Sequence, residues 1–539
     1  MRDVRDFVRR QGRLFALIGV TALLTFGYLV FCGNIRVDTE ELINQPGTTL
    51  GWLTIGRYGL VLLKRILGLS THHVIWSGVL FFLFFCLGAM LLIYAFFRYA
   101  GEAAKYPYWV FGILYVTSNI WCFQLYFSVQ QAEIALAMLL VALAAILAMT
   151  ACLKYRGGKR WGSLFLALVF LVIGFGSYQA LVAYYVSICA ALFLLYTEHG
   201  WEETGEADGQ QRKMLDETQV VSAGKVLGRL VLLLVHFLLA YGIYSYIADR
   251  WFMATGAYMT SQRGWGRLSV AGCIKNILHT VKNVLLMKGP ENFSYYTIGI
   301  LLLVVLLVLL HLRRKERQEA AYGPMRRILW FLSLALLAVS SFLMIIYSGE
   351  LLVARTQFAL PFVAAFFGMY AAGRLRDFPG WGSRAATAAM AAAVLVAALQ
   401  VSYVYRLAYT DSVRYEQDAA RTEELVAELE DACGGKLPMV PVVFVGRQMP
   451  ELKTGCIRTE MYGWSFYEWD YSEGNPTGAT HRICGFVQAC TGEELNENAT
   501  DEMKQAAIAL ADGMSDFPEA GSVCVTDDMV VVRLSGVQE

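Results

Sequence analysis

The chain has 539 residues, of which 57% are hydrophobic and 17% charged, with a formal net charge of +1. Soluble globular proteins have about 45–50% apolar and about 25% charged residues, so this composition excludes an ordinary soluble protein. Residues 1–405 carry 35 basic and 20 acidic side chains, whereas residues 406–539 carry 10 basic and 24 acidic ones. Neither part has the clustered basic residues that would indicate nucleic-acid binding.

Ten uncharged apolar stretches follow one another along residues 1–405, most of them near the length of about 20 residues that crosses a bilayer. The fifth stretch is 37 residues long, and paired glycines at its Gly174–Gln179 centre favour a break between two shorter helices. The sequence therefore predicts an all-α polytopic membrane bundle of about eleven transmembrane helices. The stretches are Leu14–Cys32, Val74–Phe97, Tyr106–Val129, Ile134–Leu153, Trp161–Thr197, Leu230–Ile247, Phe293–Leu310, Ile328–Gly349, Thr356–Gly373 and Ala385–Tyr405.

The basic residues of the loops predict the orientation of this bundle. With the N-terminus in the cytoplasm, the inner segments of residues 1–405 carry 24 basic residues and the outer loops 11. This distribution follows the positive-inside rule, and eleven spans then place the C-terminus outside. We expect a transmembrane domain over residues 1–405, with outer loops 33–73 and 248–292, and an extracytoplasmic α/β domain over residues 406–539.

The first outer loop carries the acidic residues Asp38, Glu40 and Glu41. Asp38 stands six residues beyond the first apolar stretch, where a charge close to the hydrocarbon is costly unless it is used or paired. It is therefore a candidate functional residue. The alternative is a solvated turn in which Arg36 is its local ion-pair partner.

The same loop continues with Trp52 and a predicted amphipathic helix over Leu53–Leu67. Its cations, Arg57, Lys64 and Arg65, lie off the apolar face. Such a helix is typical of the membrane interface, where its cations would lie at the height of the lipid phosphates.

Further cations are predicted on the outer side. Arg263 and Arg267 lie in loop 248–292, where an anionic ligand such as a lipid phosphate, or anionic headgroups alone, would explain them. Arg355 is a lone cation between two apolar runs and needs a partner. A phosphate held by both arms of the guanidinium is one option, and Asp38 or Glu350 is the structural alternative.

The C-terminal domain is predicted to mix helices and strands. Helices are expected over Asp411–Asp431 and Glu502–Met514, a strand over Pro438–Gly446, and a hairpin whose strands flank the turn Thr526–Asp528. The aromatic segment Tyr462–Tyr471 suits either sugar rings or docking on the membrane interface.

Cysteines and histidines give further expectations for this domain. Five cysteines in an exported segment predict at least one disulfide. Their spacings match no zinc motif, and the scattered histidines argue against metal ligation by histidine. The cysteines are Cys433, Cys456, Cys484, Cys490 and Cys524.

The chain resembles the bacterial membrane glucosyltransferases of the O-antigen-modifying type, within the GT-C class. The resemblance is carried by four stretches. They are Val37–Glu41, the helix start from Trp52 to Gly56–Arg57, Ser177–Ala180, and the region from Tyr415–Asp418 to Pro441–Gly446. Family members commonly have two adjacent aspartates in the first loop, whereas here Asp38 is followed by Thr39 and then by Glu40 and Glu41.

The resemblance implies a GT-C-like fold in the inner (plasma) membrane of a bacterium and a sugar, glucose, donated from a polyprenyl phosphate to a surface glycan. Asp38 would be the general base of an inverting transfer, and Glu40 or Glu41 would orient the acceptor or a divalent cation. No cofactor is certain. The expected donor-phosphate residues are Arg57, Arg355, Arg263 and Arg267, and the expected substrate-binding residues are Trp52, Tyr178 and Gln179.

Two other functions compete with a transferase. A transporter or flippase of lipid-linked glycans would explain the bundle and the outer cations, but it predicts more polar residues within the spans than His236 and Gln179. A non-catalytic envelope protein would leave Asp38 and Arg355 unexplained.

Overall fold

The computed structural model describes residues 7–100, 106–199, 223–253, 263–289, 297–315 and 324–535. Parts of the predicted outer loop 248–292, at residues 254–262 and 290–292, therefore lie outside the described residues. The helices are α1 (Gly12–Phe31), α2 (Thr39–Asn44), α3 (Tyr58–Ile66), α4 (Val74–Ala100), α5 (Tyr108–Val116), α6 (Ile120–Leu125), α7 (Gln131–Leu153), α8 (Gly157–Ser177), α9 (Leu181–His199), α10 (Ala223–Trp251), α11 (Val270–Leu285), α12 (Thr297–Lys315), α13 (Pro324–Ser340), α14 (Leu343–Ser348), α15 (Ala359–Leu375), α16 (Gly382–Ala432), α17 (Thr480–Thr491) and α18 (Asp501–Ala511). The strands are β1 (Val442–Val445), β2 (Val523–Val525) and β3 (Val530–Arg533).

The helices form a membrane bundle. Within the described residues, seven helices are long and apolar enough to cross a bilayer, namely α1, α4, α7, α8, α9, α10 and α16. Two shorter apolar helices, Gly299–Leu310 within α12 and Ala359–Leu375, accompany them. The chain is therefore a mostly helical membrane protein, and the predicted count of eleven spans is not confirmed.

The predicted break in the stretch Trp161–Thr197 is confirmed. Helix α8 ends at Ser177 and α9 begins at Leu181. The glycines at the break also allow close packing, because a Cβ on Gly176 would lie 2.6 Å from the ring of Tyr58. The break therefore brings α3 directly against the end of α8.

Two other predicted stretches are not single helices. Tyr106–Val129 divides into α5 and α6, and Ile328–Gly349 divides into α13 and α14. At the first division the hydroxyl of Thr117 donates a 2.7 Å hydrogen bond to Gln400 on α16. The polar residues Thr117, Ser118 and Asn119 lie between the two helices, so the apolar run does not continue as one span.

Helix α3 does not behave as a simple interfacial helix. Its face is packed on α8 so closely that a Cβ on Gly59 would lie 2.3 Å from the carbonyl oxygen of Ile173. Lys64 is only 4% exposed, and its Nζ lies 2.6 Å from Glu133 on α7. The expectation that Lys64 lies at the lipid phosphates is therefore wrong, because a buried carboxylate in a low-dielectric surrounding holds it inside.

The C-terminal part contains the predicted strands. β3 lies between β1, to which it is parallel, and β2, to which it is antiparallel. Helix α18 packs against β1 and β3. Helix α16 includes the predicted amphipathic helix Asp411–Asp431 and runs without interruption from Gly382 to Ala432. One rigid helix thus connects the bundle to the small sheet.

The predicted disulfide is not formed. All eleven cysteines of the chain lie among the described residues and have free thiols. Cys484 is buried in the core on α17, and the other cysteines of this part are half-buried. They pack as small apolar side chains, a common role of unpaired cysteine.

A buried ion network joins the loop after α1 to α16. The Nε of Arg36 lies 2.8 Å from Asp411, and Arg414 lies 2.6 Å from the other oxygen of the same carboxylate. Arg414 also lies 3.5 Å from Asp418. All four side chains are at most 2% exposed, and Arg36 donates a further hydrogen bond to the carbonyl of Leu29. Arg421, which is 15% exposed, lies 3.7 Å from the other oxygen of Asp418. Each of the two buried aspartates therefore has two arginines within 4 Å, and buried charges require such partners.

We expect Arg36→Ala to destabilise the protein by about 3–5 kcal/mol, because it leaves Asp411 buried without one of its cations. Unfolding of the detergent-purified protein by heat or denaturant measures this change. Lys504→Ala is the control, since Lys504 makes only an exposed 3.6 Å pair with Asp501 and should leave the unfolding temperature unchanged. Equal stability of the two variants would contradict the structural role of the network.

Candidate active site

The acidic residues of the first loop lie at the turn between α1 and α2. Asp38 adopts the left-handed conformation with φ 71°, which aspartate tolerates better than most residues other than glycine. The N–H of Thr39 donates a 2.8 Å hydrogen bond to the carbonyl of Arg36 and closes the turn. Because Arg36 is held by the buried network, the turn places Asp38 at the start of α2, with Glu40 and Glu41 in the first turn of that helix.

A single guanidinium on α17 binds all three predicted acids. The Nη1 atom of Arg482 lies 3.3 Å from Asp38 and 2.7 Å from Glu40. The same atom lies 3.6 Å from Glu41, and the Nε lies 2.9 Å from Asp470. One arginine among four carboxylates leaves an excess of negative charge. The buried network around Asp411 and Asp418 has no such excess.

Helices α2 and α17 approach closely at this cluster. The side-chain amide of Asn44 donates a 2.8 Å hydrogen bond to the carbonyl of Gly485. A Cβ on Gly485 would lie 3.2 Å from the side chain of Glu40. This glycine therefore lets α17 lie near enough for its arginine to reach the carboxylates of α2.

Asp38 and Glu40 differ in how far their side chains are buried. The Glu40 side chain is 2% exposed, and its burial raises its pKa to about 7 against the lowering effect of Arg482. One of its oxygens, Oε2, has no hydrogen-bond partner among the described residues. Burial also raises the pKa of Asp38, while Arg482 lowers it. Asp38 nevertheless keeps 32% of its side chain exposed, so an incoming substrate can reach it.

Glu41 is in a different environment. His481 lies between Glu41, at 3.6 Å, and Glu497, at 2.8 Å. These two carboxylates raise the pKa of His481 to about 10, so the imidazole is cationic at neutral pH. In return, the hydrogen bond from His481 lowers the pKa of Glu41. A carboxylate with a lowered pKa is a weak base.

Arg355 lies beside the cluster. Its guanidinium lies 4.4 Å from the ring centroid of Phe127 and forms no ion pair with any described carboxylate within 4 Å. It is close enough to lower the pKa of Asp38 by its charge. The hydroxyls of Thr39 and Ser128 share a 3.0 Å hydrogen bond, which joins the Asp38 turn to the chain beside Phe127.

The alternative partners proposed from the sequence are occupied elsewhere. Glu350 is paired with Arg267, so it does not neutralise Arg355. Arg36 is paired with Asp411, so it is not the partner of Asp38. Arg263 is exposed, and neither Arg263 nor Arg267 is in the ion-pair cluster around Arg482.

Arg57 lies at the start of α3. Its guanidinium lies 4.6 Å from the ring centroid of Tyr178, and it has no carboxylate partner within the described part of the chain. The ring of Tyr178 in turn lies 5.3 Å from that of Phe358, three residues beyond Arg355. Aromatic contacts therefore connect the surroundings of the two half-buried arginines.

The other predicted substrate-binding residues are mostly enclosed. Trp52 is 4% exposed, with the Nζ of Lys64 5.3 Å from its ring centroid. Tyr178 is 3% exposed, and Gln179 donates a 2.7 Å hydrogen bond to Tyr244. These residues support the neighbouring helices and the Arg57 guanidinium.

The aromatic segment Tyr462–Tyr471 is divided between core and surface. Phe466 and Tyr467 are buried, whereas Trp464 and Trp469 are half-buried. The ring of Trp469 stacks on Tyr126 with centroids 6.3 Å apart. Its neighbour Asp470 belongs to the carboxylate cluster, so this segment borders the candidate site.

Sequence reasoning missed Arg482 and His481, and it included Asp470 only as a member of the aromatic segment Tyr462–Tyr471. The available signal was weak: the two adjacent residues of α17 are its only basic ones. Nothing in their spacing relates them to a loop more than 400 residues earlier. No group of three or more histidine, cysteine, aspartate or glutamate residues is arranged to hold a metal ion in the described ranges.

The raised pKa of Glu40 gives a pH-dependent prediction. Folding favours protonated Glu40, so its contribution to stability is complete below about pH 4.5 and is lost as the pH rises through about 7. Glu40→Gln should therefore gain stability relative to the wild type between pH 5 and 8, by on the order of 2–3 kcal/mol. Unfolding temperatures measured across this range test the trend, and a pH-independent difference would contradict it.

Comparison with protein-family models identifies the family of this chain. A protein-family model described as Glucosyl transferase GtrII matches residues 27–372, which is more than half of the chain. The matched range includes Asp38, Arg57, Tyr178 and Arg355, whereas Arg482 lies beyond it. No curated protein and no solved structure matches the chain significantly. The chain belongs to the glucosyl transferase GtrII family of bacterial O-antigen-modifying enzymes and is a membrane glycosyltransferase.

Proposed function

We propose that this enzyme transfers glucose from a polyprenyl-phosphate donor to a cell-surface glycan, with inversion at the anomeric carbon and Asp38 as the general base. The observation that carries the proposal is the position of the Asp38 carboxylate. It is partly exposed, burial raises its pKa, it lies 3.3 Å from the cationic Arg482, and it is close enough to Arg355 for that charge to lower its pKa. A base and a phosphate-binding cation side by side are what this transfer requires.

The three acids of the loop are not equivalent as bases. Glu40 is only 2% exposed and its Oε1 is bound by Arg482, so an acceptor hydroxyl has less access to Glu40 than to Asp38. Glu41 is bound to cationic His481, which lowers its basicity. Asp38 combines access with a raised pKa, so it is the best base of the three. We assign Glu40 and Glu41 the role of positioning Arg482 and His481.

The chemical step follows from this arrangement. The acceptor hydroxyl oxygen attacks the anomeric carbon and its proton passes to Asp38. The bond from that carbon to the lipid phosphate oxygen breaks, and its electron pair leaves with the phosphate. Because an ordinary carboxylate is a weak base for a hydroxyl, proton transfer is concerted with attack.

The departing phosphate gains negative charge and needs cations. Arg355 and Arg57 are half-buried guanidinium groups without carboxylate partners among the described residues, each lying over an aromatic ring. Such groups can bind a phosphate through two parallel hydrogen bonds. We assign the phosphate to Arg355 first, because it is the one that acts electrostatically on Asp38. Tyr178 positions Arg57.

The orientation remains as the loops predict it. The excess of basic residues on the inner segments supports a cytoplasmic N-terminus and an extracytoplasmic C-terminal domain in the inner membrane. The partners are then the lipid-linked sugar, the surface glycan and the bilayer. A transporter, a flippase or a non-catalytic envelope protein is not supported, because the chain belongs to a family of transferases.

Reporter fusions test this orientation. Alkaline phosphatase fused after Glu539 should be active and the same reporter fused within the inner segment after α4 inactive. If the C-terminal fusion is inactive although it is expressed at the same level, the C-terminus lies in the cytoplasm. That result would contradict the proposed orientation and exclude a surface glycan as the acceptor.

Asp38→Asn should lower turnover by about 10²–10⁴-fold, because the amide keeps the shape but cannot accept the proton. The dissociation constant for the glucosyl polyprenyl phosphate should change far less. Single-turnover transfer by purified enzyme and donor binding in the absence of acceptor separate the two effects.

The comparison variants distinguish chemistry from packing. Arg355→Lys keeps the charge but loses the planar fork, so it should weaken donor binding while leaving the Asp38 pH dependence in place. Glu41→Gln should retain most turnover, because Glu41 does not accept the proton. If the Asp38→Asn variant is active and the Glu40→Gln variant is inactive, the general base is Glu40 and not Asp38.

A further inference from the structure

The chain between α5 and α7 contains a group of buried amides without partners. Neither amide atom of Asn119, Gln124 or Gln131 has a hydrogen-bond partner in the described part of the chain, and the same is true of Oε1 of Gln130. All four side chains are at most 5% exposed. None of them contributes to the chemistry assigned to Asp38 and Arg355.

Such a group is uncommon in a folded protein. Buried side-chain polar atoms nearly always have a hydrogen-bond partner, because an unpaired donor or acceptor retains the full cost of leaving water. If these positions served only for packing, apolar side chains of the same size would be more stable. Several unpaired amides within one short connection therefore point to a polar ligand.

The connection lies between the two sides of the candidate site. On one side Ser128 shares a hydrogen bond with Thr39, next to Asp38. On the other side Phe127 lies beneath the guanidinium of Arg355. Helix α6 also packs against the turn that carries this arginine. Gln124 and Gln130 flank Phe127 and Ser128 in sequence, so they belong to the part of the connection that contacts Thr39, next to Asp38, and Arg355.

We infer that residues 118–131 form a sugar-binding subsite in which the amides of Asn119, Gln124, Gln130 and Gln131 bind the hydroxyls of a hexopyranosyl ring. This inference rests on the proposed function and adds the residues that recognise the sugar. A primary amide offers two donors and one acceptor, and each sugar hydroxyl both donates and accepts. The unpartnered Oε2 of Glu40, on a side chain that is 2% exposed, is a further acceptor beside the same connection.

The ring could come from the lipid-linked donor or from the acceptor glycan, since both present the same hydroxyl chemistry. The stack of Trp469 on Tyr126 borders this connection, and its half-exposed indole is a suitable surface for a sugar face. If the ring belongs to the donor, loss of an amide should raise the KM for the donor. If it belongs to the acceptor, the KM for the acceptor should rise.

The test replaces single amides with methionine, an apolar side chain of similar length. Gln124→Met and, independently, Gln130→Met should raise the KM for one sugar substrate by roughly 5- to 30-fold, the effect of losing one or two hydrogen bonds. The unfolding temperature should not fall, because an unpaired buried amide is removed. Full-length enzyme in detergent, with glucosyl polyprenyl phosphate and a purified glycan acceptor, is used throughout.

The control is Gln448→Met. Gln448 donates a 3.2 Å hydrogen bond to the carbonyl of Phe517 in the C-terminal part, away from the connection, and its loss should leave both KM values unchanged. A rise in the donor KM assigns the subsite to the donor sugar, and a rise in the acceptor KM assigns it to the acceptor. For the substrate whose KM rises, a deoxygenated analogue that lacks the hydroxyl bound by the amide should give the same KM with the wild type and the variant.

Two failures remain distinguishable. If the wild-type enzyme does not use a lipid-linked glucosyl donor, the proposed function is wrong. If the wild type is active but both methionine variants keep wild-type KM values for donor and acceptor, the sugar subsite is wrong and the proposed function stands. Loss of stability in both variants with unchanged KM would likewise show that the amides serve the fold.

Discussion

The buried network of Arg36, Asp411, Arg414 and Asp418 is the constraint on which the candidate site depends. It links the loop after α1 to α16, the helix that continues from the bundle to the small sheet. Because desolvated charges demand close partners, the network tolerates little displacement of the loop. The left-handed turn at Asp38 follows two residues after Arg36, so its position relative to the bundle is set by this ion network.

The network and the carboxylate cluster around Arg482 differ in the number of cations for each carboxylate. In the buried network each of the two aspartates has two arginines within 4 Å. In the cluster at the Asp38 turn, by contrast, Arg482 faces four carboxylates, and cationic His481 adds only one further positive charge. Burial raises the pKa of Glu40 to about 7, and the charge of Arg482 does not offset this effect. Sites that perform acid–base chemistry commonly keep such perturbed groups.

The site is assembled from both parts of the chain. The bundle supplies the acids of α2 and the cations Arg57 and Arg355, whereas the C-terminal part supplies Arg482, His481 and Asp470. Tyr462, from the same C-terminal part, donates a 2.8 Å hydrogen bond to the carbonyl of Cys122 on α6. The C-terminal part therefore packs directly on the connection that lies beside Asp38 and Arg355 and helps to shape the candidate site.

The sequence alone predicted the membrane bundle, the break near Gly176 and the strands of the C-terminal sheet. These features follow from hydropathy, glycine content and charge, which are local properties of consecutive residues. Only the tertiary structure decided the ion-pair partners: Lys64 with Glu133, Arg36 with Asp411, and Arg482 with Glu40, the last pair 442 residues apart. It also decided that the cysteines stay unpaired and that Tyr106–Val129 is not one helix. A charge has many possible partners along a chain, and burial in three dimensions selects among them because an unpaired buried charge is too costly to retain.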